Sequence, residues 1–439
     1  MKRKFFALLF ALIFILIQAL PFAVSAEEYD NEENLSSKYA AVYNTKTGSF
    51  VYTLNAEEKT EPASTAKIIT AIIALEYFEG ELDTVVTVTS AALKGLEGSS
   101  VLNLKSGEEI PVIDLIYATL IAGMNDAANA LAIAISGSIL NFVTLMNDKA
   151  EEIGAENTLY LNPTGLSSSA YTTAEDTAII AAYAYENKLF MEICNTRAYQ
   201  VTETNKNPAV TIYTRNALLT PQSDYFWTYA EGMSYGYTET GGYAVVSAAS
   251  YGTYPYICVA MGSEKDTSGT IGGYLDIKSL LSWASNNFAE RKVLDKSKIL
   301  CELPVRAGDD VGHVLIVPSE AVYAFLDVDI DLSRITLSEE LRYNSLTAPV
   351  EKGTVVGTVT ISLDGNPIGY TELITKTSVR RSALGSFLLT LESIVTNKFF
   401  IIFVMILVIA AIVFFTAKYS LLSKKANRSS HYKNHKNIK

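Results

Sequence analysis

The segment Pro62–Lys67 places a hydroxyl and an amine three residues apart, at the start of an apolar run. In the run Ile68–Phe78 the apolar residues recur at helical spacing, the proline before it suits a first helical position and Gly80 suits a stop, so a helix is predicted. Ser64 and Lys67 then share one helix face, where the amine can take the hydroxyl proton and the helix dipole favours the developing negative charge. The same spacing also fits a capped, solvated helix start, which is the alternative interpretation.

Histidine is too scarce for the commonest serine chemistry. Of three histidines, His431 and His435 lie in a basic C-terminal tail, which leaves His313 in a strand-like segment late in the chain. A Ser-His-Asp triad or a histidine-rich metal site is therefore difficult to build, and lysine is the better base if a serine acts. The cysteines are not closely spaced, so neither a disulfide framework nor a zinc site is predicted, and no cofactor is expected. They are Cys194, Cys258 and Cys301.

The N-terminus has the pattern of a secretory signal. Three basic residues precede the apolar stretch Phe5–Leu20, and Ala23–Ala26 supplies the small residues of a cleavage site. We predict a signal peptide over residues 1–26 and a mature chain that begins near Glu27. An uncleaved N-terminal anchor is the alternative.

A second apolar stretch, Phe399–Ala417, has nineteen residues and no charge. At about 1.5 Å of rise per residue it is long enough to span a hydrocarbon core, so it predicts a membrane helix. The tail after it carries seven basic residues and no acidic one. The positive-inside rule then predicts a cytoplasmic tail and a body that lies outside the cell.

The body of the chain is strongly acidic. Of the 35 basic residues, three lie in the signal and seven in the tail, which leaves 25 against 47 acidic residues and a net charge near −22. Phosphate binding needs a basic patch, and none is visible in this part of the chain. The composition therefore argues against nucleic acid as a partner.

Between the two ends the pattern separates into two parts. Residues 39–54 predict a hairpin, and helices then alternate with short strands as far as about residue 290. From about Val293 the pattern changes to short β-type runs divided by turns such as Asp364–Pro367, which predicts a small all-β domain. Ser382–Val395 is amphipathic and predicts a short helix at the membrane surface.

The segment Gly123–Asp126 interrupts an apolar helical block that runs from Pro111 to Ala134. Polar residues at such a break predict that Asn125 presents its amide into a cleft. A helix cap by Asn125 or Asp126 is the alternative.

Three motifs follow one another along the chain: Ser64-Thr65-Ala66-Lys67, then Gly123-Met124-Asn125, then Ser234-Tyr235-Gly236. This ordered combination resembles the serine D-alanyl-D-alanine carboxypeptidases, the low-molecular-weight penicillin-binding proteins. The resemblance extends from about Tyr39 to Arg380. Its further landmarks are Asn162–Leu166, Tyr171–Asp176, Gly236–Tyr243 and, in the β-rich part, Leu346–Val350.

The resemblance implies an α/β (α+β) fold of the serine penicillin-binding and β-lactamase-like transpeptidase type, followed by a small all-β domain and a C-terminal transmembrane helix. It implies that Ser64 is the nucleophile, that Lys67 is its base, and that Asn125 holds a substrate amide. The expected substrates are peptidoglycan stem peptides that end in D-alanyl-D-alanine. β-Lactams are expected to acylate the same serine.

By the same resemblance, the third motif and the residue after it bind the substrate. The backbone N–H groups of the nucleophile and of Tyr237 are expected to form the oxyanion hole, where each donor contributes about 3 kcal/mol. The expected substrate-binding residues are Ser234, Tyr235, Gly236 and Tyr237.

Two of the three motifs depart from the family pattern. The second motif normally begins with serine, and this chain has Gly123; the third is normally Lys-Thr-Gly, and this chain has Ser234 and Tyr235 before the glycine. The missing lysine removes a charged contact with the substrate carboxylate, a loss of about 1.5–3 kcal/mol. The candidate replacements are Arg197, Lys206 and Arg215.

The sequence therefore predicts a membrane-anchored carboxypeptidase with weakened or altered activity. A catalytically inactive relative that binds peptidoglycan or a partner is the alternative, and a β-lactamase fits poorly with the β domain and the anchor. The predicted layout is signal 1–26, flexible leader 27–38, catalytic domain 39–290, β domain 291–380, amphipathic segment 381–397, membrane helix 398–417 and basic tail 418–439.

Overall fold

The computed structural model of the protein describes residues 34–250, 254–309 and 312–434. The predicted signal peptide, most of the predicted leader, residues 251–253 and 310–311 and the last five residues of the tail lie outside the described residues. The described chain divides into two compact units. The first contains the residues up to Arg291 together with Phe325–Asp331, and the second contains Lys292–Ala324 and the residues from Leu332 onward.

The first unit alternates helices with short strands, as the sequence predicts. Its helices are α1 (Ala66–Tyr77), α2 (Val112–Leu120), α3 (Asn125–Ser136), α4 (Ile139–Ile153), α5 (Ala174–Tyr185), α6 (Lys188–Cys194) and α7 (Gly272–Asn287). Its strands are β1 (Tyr39–Asn44), β2 (Ser49–Leu54), β3 (Val85–Thr87), β4 (Glu109–Pro111), β5 (Ala198–Val201), β6 (Val210–Tyr213), β7 (Ala230–Thr238), β8 (Gly242–Ala249) and β9 (Tyr256–Ser263).

Five strands form an antiparallel sheet in the order β2-β1-β9-β8-β7. Both faces of the sheet are covered, because successive side chains of a strand point to opposite faces. In β1, Ala41 packs into the helix-rich cluster that contains α1, whereas Ala40 and Val42 pack into a second cluster that contains α7. The last strand in this order, β7, pairs with β8 on one side and is an edge strand.

Helix α1 is buried on nearly every side, from Ala66 to Leu75. A helix that is apolar all round belongs in a core, so α1 holds its N-terminal end rigidly. The predicted helix is confirmed, with one correction at its start. Pro62 precedes a 3-10 turn, Ala63–Thr65, and the α-helix begins only after that turn, so the proline is not its first residue.

The second unit contains a six-stranded sheet in the order β14-β16-β17-β12-β11-β15. Its neighbours are antiparallel except for the parallel pair β11 and β15. Its apolar core includes Val314, Ile316, Val359, Ile361 and Leu373. The strands that follow α7 along the chain are β10 (Phe288–Leu294), β11 (Cys301–Arg306), β12 (His313–Pro318), β13 (Val322–Asp327), β14 (Ile335–Leu341), β15 (Leu346–Thr347), β16 (Val355–Leu363) and β17 (Asn366–Thr375). Strands β10 and β13 each contain residues of both units and are not part of the six-stranded sheet.

Two helices end the described chain. Helix α8 (Ala383–Val395) begins after Ser382, whose Oγ accepts the Gly385 N–H at 2.8 Å as an N-cap. Helix α9 (Lys398–Asn434) contains a 22-residue stretch, Lys398–Tyr419, that is long and apolar enough to cross a membrane. The predicted amphipathic helix and apolar helix are thus both present.

Candidate active site

The N-terminal end of α1 brings the two predicted reactive groups together. Lys67 Nζ lies 3.0 Å from Ser64 Oγ and donates to the Thr164 carbonyl at 2.8 Å. The Lys67 side chain is 2% exposed. Burial disfavours its charged form, and the positive charge of Arg215 adds to this effect, so the pKa of Lys67 is lowered to about 7. The arrangement supplies a serine with an amine that is uncharged for part of the time at neutral pH.

A turn from a distant part of the chain supports the nucleophile. Asn162 Oδ1 accepts the N–H groups of Thr164 and Gly165 at 3.1 and 2.7 Å, which fixes the carbonyl that receives Lys67. Gly165 has a φ of +79°, and a Cβ there would lie 1.6 Å from the Ala63 carbonyl oxygen. A side chain at position 165 would collide with this carbonyl, so glycine is required there. Ala63 itself has a φ of +48°, so the residue before Ser64 is held in a strained conformation.

Strand β7 faces the nucleophile at very close range. A Cβ on Gly236 would lie 2.5 Å from the Ser64 backbone nitrogen, so only glycine allows this approach. Ser234 is nearly buried, and its Oγ donates to the Ser64 carbonyl at 3.1 Å. The predicted residues of the third motif thus lie beside Ser64. The Ser234 hydroxyl, however, is already bonded to the nucleophile's own backbone.

Tyr235 has packing partners that its position in the motif does not predict. Its ring stacks on Tyr274 of α7, with centroids 5.6 Å apart, and on Tyr243 of β8, at 6.1 Å. Burial is the main cause that raises the pKa of its hydroxyl. The ring therefore belongs to an aromatic cluster, in contrast to a threonine that would present a free hydroxyl.

Asn125 is the first residue of α3 and is 4% exposed. Its Oδ1 is buried and has no hydrogen-bond partner within the described ranges. The helix-cap alternative is wrong for Asn125, because Met124 occupies the N-cap position and makes no side-chain cap bond. The Asp126 carboxylate does accept one N–H group of the first turn, that of Ala127 at 3.0 Å, and it also accepts two N–H groups of the loop beside the cleft. Asn125 is among the residues that line a cavity.

Gly123 lies at the same cavity with a φ of +67° and open space where a Cβ would be. No hydroxyl is available at this position of the second motif. The backbone conformation is one that glycine adopts without strain and other residues do not.

One of the three cations considered for the missing lysine lies at the cavity. Arg215 lines the cavity and donates through Nη1 to Ser100 Oγ. Arg197 lies over the Phe226 ring at 5.7 Å, and Lys206 Nζ donates to the Ser106 carbonyl. Sequence reasoning could not choose among them, because no local pattern shows which cation reaches the cleft.

The cavity has a volume of about 480 Å³. It is a cleft between the start of α1, the start of α3 and the edge strand β7. The residues of interest that line it are Ser64, Asn125, Arg215, Ser234, Tyr235, Gly236 and Tyr237. Across residues 34–250, 254–309 and 312–434 no group of three or more potential ligands is placed to hold a metal ion.

Comparison with known proteins gives two family matches. The profile described as D-alanyl-D-alanine carboxypeptidase matches residues 24–265, and the profile described as penicillin-binding protein 5, C-terminal domain, matches residues 288–381. Among curated relatives, D-alanyl-D-alanine carboxypeptidase DacF of Bacillus subtilis is 25% identical over 390 residues, which cover 88% of this chain and 97% of the relative. DacA of Haemophilus influenzae is 28% identical over 374 residues, with coverages of 80% and 88%.

Solved structures agree with this assignment. Penicillin binding protein 5 from Haemophilus influenzae superposes with a TM-score of 0.57 at 27% identity and covers 79% of this chain and 98% of its own. Penicillin binding protein 6B from Escherichia coli gives a TM-score of 0.60 at 21% identity, with coverages of 81% and 98%, and supports the fold alone. The predicted penicillin-binding fold with a C-terminal β domain is confirmed. This chain belongs to the serine D-alanyl-D-alanine carboxypeptidase family.

Proposed function

We propose that the chain is a membrane-anchored serine D-alanyl-D-alanine carboxypeptidase that removes the terminal D-alanine of peptidoglycan stem peptides through an acyl-enzyme on Ser64. The observation that carries this proposal is the buried Lys67, whose pKa is about 7 and whose Nζ lies 3.0 Å from Ser64 Oγ. An amine with that pKa is uncharged in about half of the molecules at pH 7, so a base is present where the nucleophile needs one.

In the acylation step, neutral Lys67 takes the proton of Ser64 as Oγ bonds to the carbonyl carbon between the two D-alanines. The carbonyl oxygen becomes an oxyanion. When the C–N bond breaks, the leaving amine receives a proton from the Lys67 ammonium and D-alanine departs. The rest of the peptide remains as an ester on Ser64. A water molecule then attacks the ester and gives its proton to Lys67, which restores the serine and releases the shortened peptide.

The oxyanion is stabilised by two backbone donors, the N–H groups of Ser64 and Tyr237. Support for this role comes from Gly236, which brings β7 against the Ser64 nitrogen. The start of α1 adds the positive end of a helix dipole. Each preorganised donor of this kind contributes about 3 kcal/mol to the transition state.

We assign the substrate carboxylate to Arg215, with Ser234 beside it. Arg215 is a permanent cation on the wall of the cleft, and its charge acts on both Lys67 and Tyr235. A guanidinium matches a carboxylate in two-point geometry, which a single serine hydroxyl cannot do. The Arg215 charge thereby partly replaces that of the lysine that is missing from the third motif. Tyr235, by contrast, contributes ring packing to the wall of the site.

Asn125 holds the amide of the residue before the scissile bond. Its Oδ1 lacks a partner in the described parts of the chain, so a substrate N–H satisfies a buried acceptor that is otherwise costly to leave unpaired. The edge of β7 offers further backbone groups to an extended peptide. β-Lactams acylate the same serine, because their strained amide resembles the terminal dipeptide.

We also propose the domain layout and location predicted above. The catalytic domain comprises residues 39–290, the β domain 291–380 and the single span 398–417. Support comes from the apolar stretch Lys398–Tyr419 and from the basic residues that follow it, which by the positive-inside rule favour a cytoplasmic tail and domains outside the cell.

The test uses the full chain in detergent with a fluorescent penicillin and with a peptide that ends in D-alanyl-D-alanine. We expect covalent labelling and release of D-alanine, and neither in the Ser64→Ala variant. If the wild-type chain shows no labelling after prolonged exposure and releases no D-alanine, the proposal is wrong.

A catalytically inactive relative that binds peptidoglycan or a partner is the second candidate. It is favoured by the Ser234 hydroxyl, which is bonded to the Ser64 carbonyl, and by the absence of a hydroxyl at Gly123. The same assay separates the two functions. Binding of the peptide without labelling and without D-alanine release supports the second candidate.

A further inference from the structure

Ser100 lies in the loop between β3 and β4 and lines the catalytic cleft. It forms hydrogen bonds in two directions. Its carbonyl accepts the N–H of Asn125, the first residue of α3, at 2.8 Å. Its Oγ accepts a hydrogen bond from Nη1 of Arg215. One residue thus connects the side chain proposed to bind the substrate carboxylate with the residue proposed to hold the substrate amide.

Arg215 depends on this contact because little else holds its side chain. The residue is exposed at the wall of the cleft, so burial does not fix the guanidinium. Its backbone N–H donates to the Ile121 carbonyl at 2.9 Å, which places the main chain but leaves the long side chain free to rotate. Across residues 34–250, 254–309 and 312–434, Ser100 is the one hydrogen-bond partner of the guanidinium. Its remaining N–H groups are available to a carboxylate.

The loop that carries Ser100 is itself held by α3. Asp126 is 2% exposed, and its carboxylate accepts the N–H groups of Leu102 and Leu104 at 2.8 and 3.0 Å. A carboxylate that accepts backbone N–H groups forms strong, directional hydrogen bonds. The position of the Ser100 hydroxyl is therefore set by the start of α3, beside Asn125.

The preceding serine differs from Ser100 in its bonding. Ser99 also lines the cleft, but its Oγ donates to the Leu96 carbonyl at 2.7 Å within its own turn. The Ser99 hydroxyl has no hydrogen bond to Arg215 in the described structure. Ser99 is therefore a matched control for Ser100, from the same loop and the same cavity.

We propose that Ser100 is a positioning residue for the substrate carboxylate. Its hydroxyl holds the Arg215 guanidinium at the wall of the cleft, and its carbonyl keeps this contact in register with Asn125. The cation that replaces the family lysine is thus positioned from the second motif and not from β7. The inference rests on the proposed function, because that function assigns the carboxylate to Arg215.

The first test separates KM from kcat for release of D-alanine by the full chain in detergent. At about pH 9, where Lys67 is mostly uncharged, Ser100→Ala should raise KM about fivefold and leave kcat within about twofold. A contact that holds the carboxylate in both the ground state and the transition state changes KM in this way. An unchanged KM would overturn the inference.

Three further variants make this result specific. Ser100→Thr keeps a hydroxyl and should return KM to within about twofold of the wild type. Ser100→Cys keeps the size of the side chain but offers a weaker acceptor, so its KM should lie between those of the alanine variant and the wild type. Ser99→Ala should have the KM of the wild type. Complete labelling by saturating penicillin checks that each variant is folded.

A double-mutant cycle shows whether Ser100 acts through Arg215. Arg215→Gln should raise KM at least as much as Ser100→Ala does. Adding Ser100→Ala to Arg215→Gln should then change KM by less than about twofold, because the guanidinium that the hydroxyl holds is already gone. A residue that only supports its loop would raise KM by the same factor in both backgrounds, and that result would overturn the inference.

Failure of the proposed function gives a different result. In that case the wild-type chain releases no D-alanine and penicillin does not label it. The contact is then measured through Lys67, whose pKa is lowered by burial and by the Arg215 charge. In a chain with isotope-labelled lysine, NMR titration should give Lys67 a higher pKa in Ser100→Ala than in the wild type, because the released guanidinium moves into solvent. An equal pKa in the two proteins would overturn the inference.

Discussion

The two walls of the catalytic cleft differ in how completely they are built. The nucleophile side consists of Ala63–Lys67 and the turn Asn162–Gly165. On this side the Lys67 amine is hydrogen-bonded to Ser64 and to a carbonyl of the turn, and the turn is held by its own hydrogen bonds. The strand side consists of Ser234–Tyr237 together with Gly123 and Arg215. Here Ser234 is hydrogen-bonded to backbone, Tyr235 packs in an aromatic cluster, and Gly123 has no hydroxyl. The groups proposed for covalent attack are thus all in place, while the groups proposed to hold the substrate depart from the family pattern.

The largest expected effect comes from removing the base on the nucleophile side. Lys67→Met should reduce penicillin acylation about 10³-fold, because no other amine lies beside Ser64 in the described structure. The melting temperature should hold or rise, since a buried ionisable group is replaced by an apolar one of similar length. Stopped-flow acylation and thermal unfolding measure the two effects.

The exposed Lys94→Met is the matched control for both quantities. Acylation within about tenfold of the wild type in Lys67→Met would show that the strand side supplies its own base.

The contact between the two sides is tested by Gly236→Ala. The added Cβ would lie 2.5 Å from the Ser64 nitrogen, so the strand must move away from the oxyanion hole. Loss of one donor predicts an acylation rate about 10²-fold lower. Gly312→Ala, where nothing lies within 4 Å of the new Cβ, should leave the rate unchanged. A rate near that of the wild type in Gly236→Ala would mean that the oxyanion does not bind here.

The strand side can also be rebuilt toward the family pattern. Ser234→Lys combined with Tyr235→Thr should raise kcat/KM for D-alanine release about tenfold, because a charged contact and a free hydroxyl are restored. The double variant is measured beside the wild type with the same peptide. No gain would mean that Arg215 already supplies all the carboxylate binding that the site can use.

The pH dependence links the two sides. Below its pKa of about 7, Lys67 is an ammonium and cannot accept a proton, so acylation should fall about tenfold per pH unit below that value. Arg215→Gln removes a positive charge that lowers this pKa, so the acid limb should move to higher pH. Arg215→Lys keeps the positive charge, so the acid limb of the pH profile should stay at the same pH as in the wild type. An unshifted limb in Arg215→Gln would show that burial alone sets the pKa.

The smallest effect concerns Gly123→Ser. There is space for the side chain, but the φ of +67° costs a non-glycine residue about 1 kcal/mol. We expect a lower free energy of unfolding by about that amount in urea denaturation. No change in stability would show that the loop adapts to serine without strain.

The nucleophile side was predictable from sequence because its signals are local. Ser64 and Lys67 meet through helical spacing, and the family resemblance located Asn125 and the residues of β7. Arg215 was not predictable, since its approach depends on long-range bonds. Its N–H donates to the Ile121 carbonyl, and the residue before it donates to the Arg197 carbonyl. The partners of Ser234 and Tyr235 were missed for the same reason.

Helix α6 and strand β5 were also not predicted, because a seven-residue helix and a four-residue strand carry too little periodicity to identify. The hairpin and the strands of the second unit have clear alternation or continuous apolar runs, and the sequence predicted them.

Gly123 limits the substitutions by which this chain could acquire the serine of the family's second motif. A single codon change restores the serine, yet the left-handed backbone at that position makes the first step unfavourable before any catalytic gain is realised. Changes elsewhere in the cleft wall, such as at Ser234, meet no such backbone barrier. A serine at position 123 is therefore best introduced together with a change in its loop that moves the backbone out of the left-handed region.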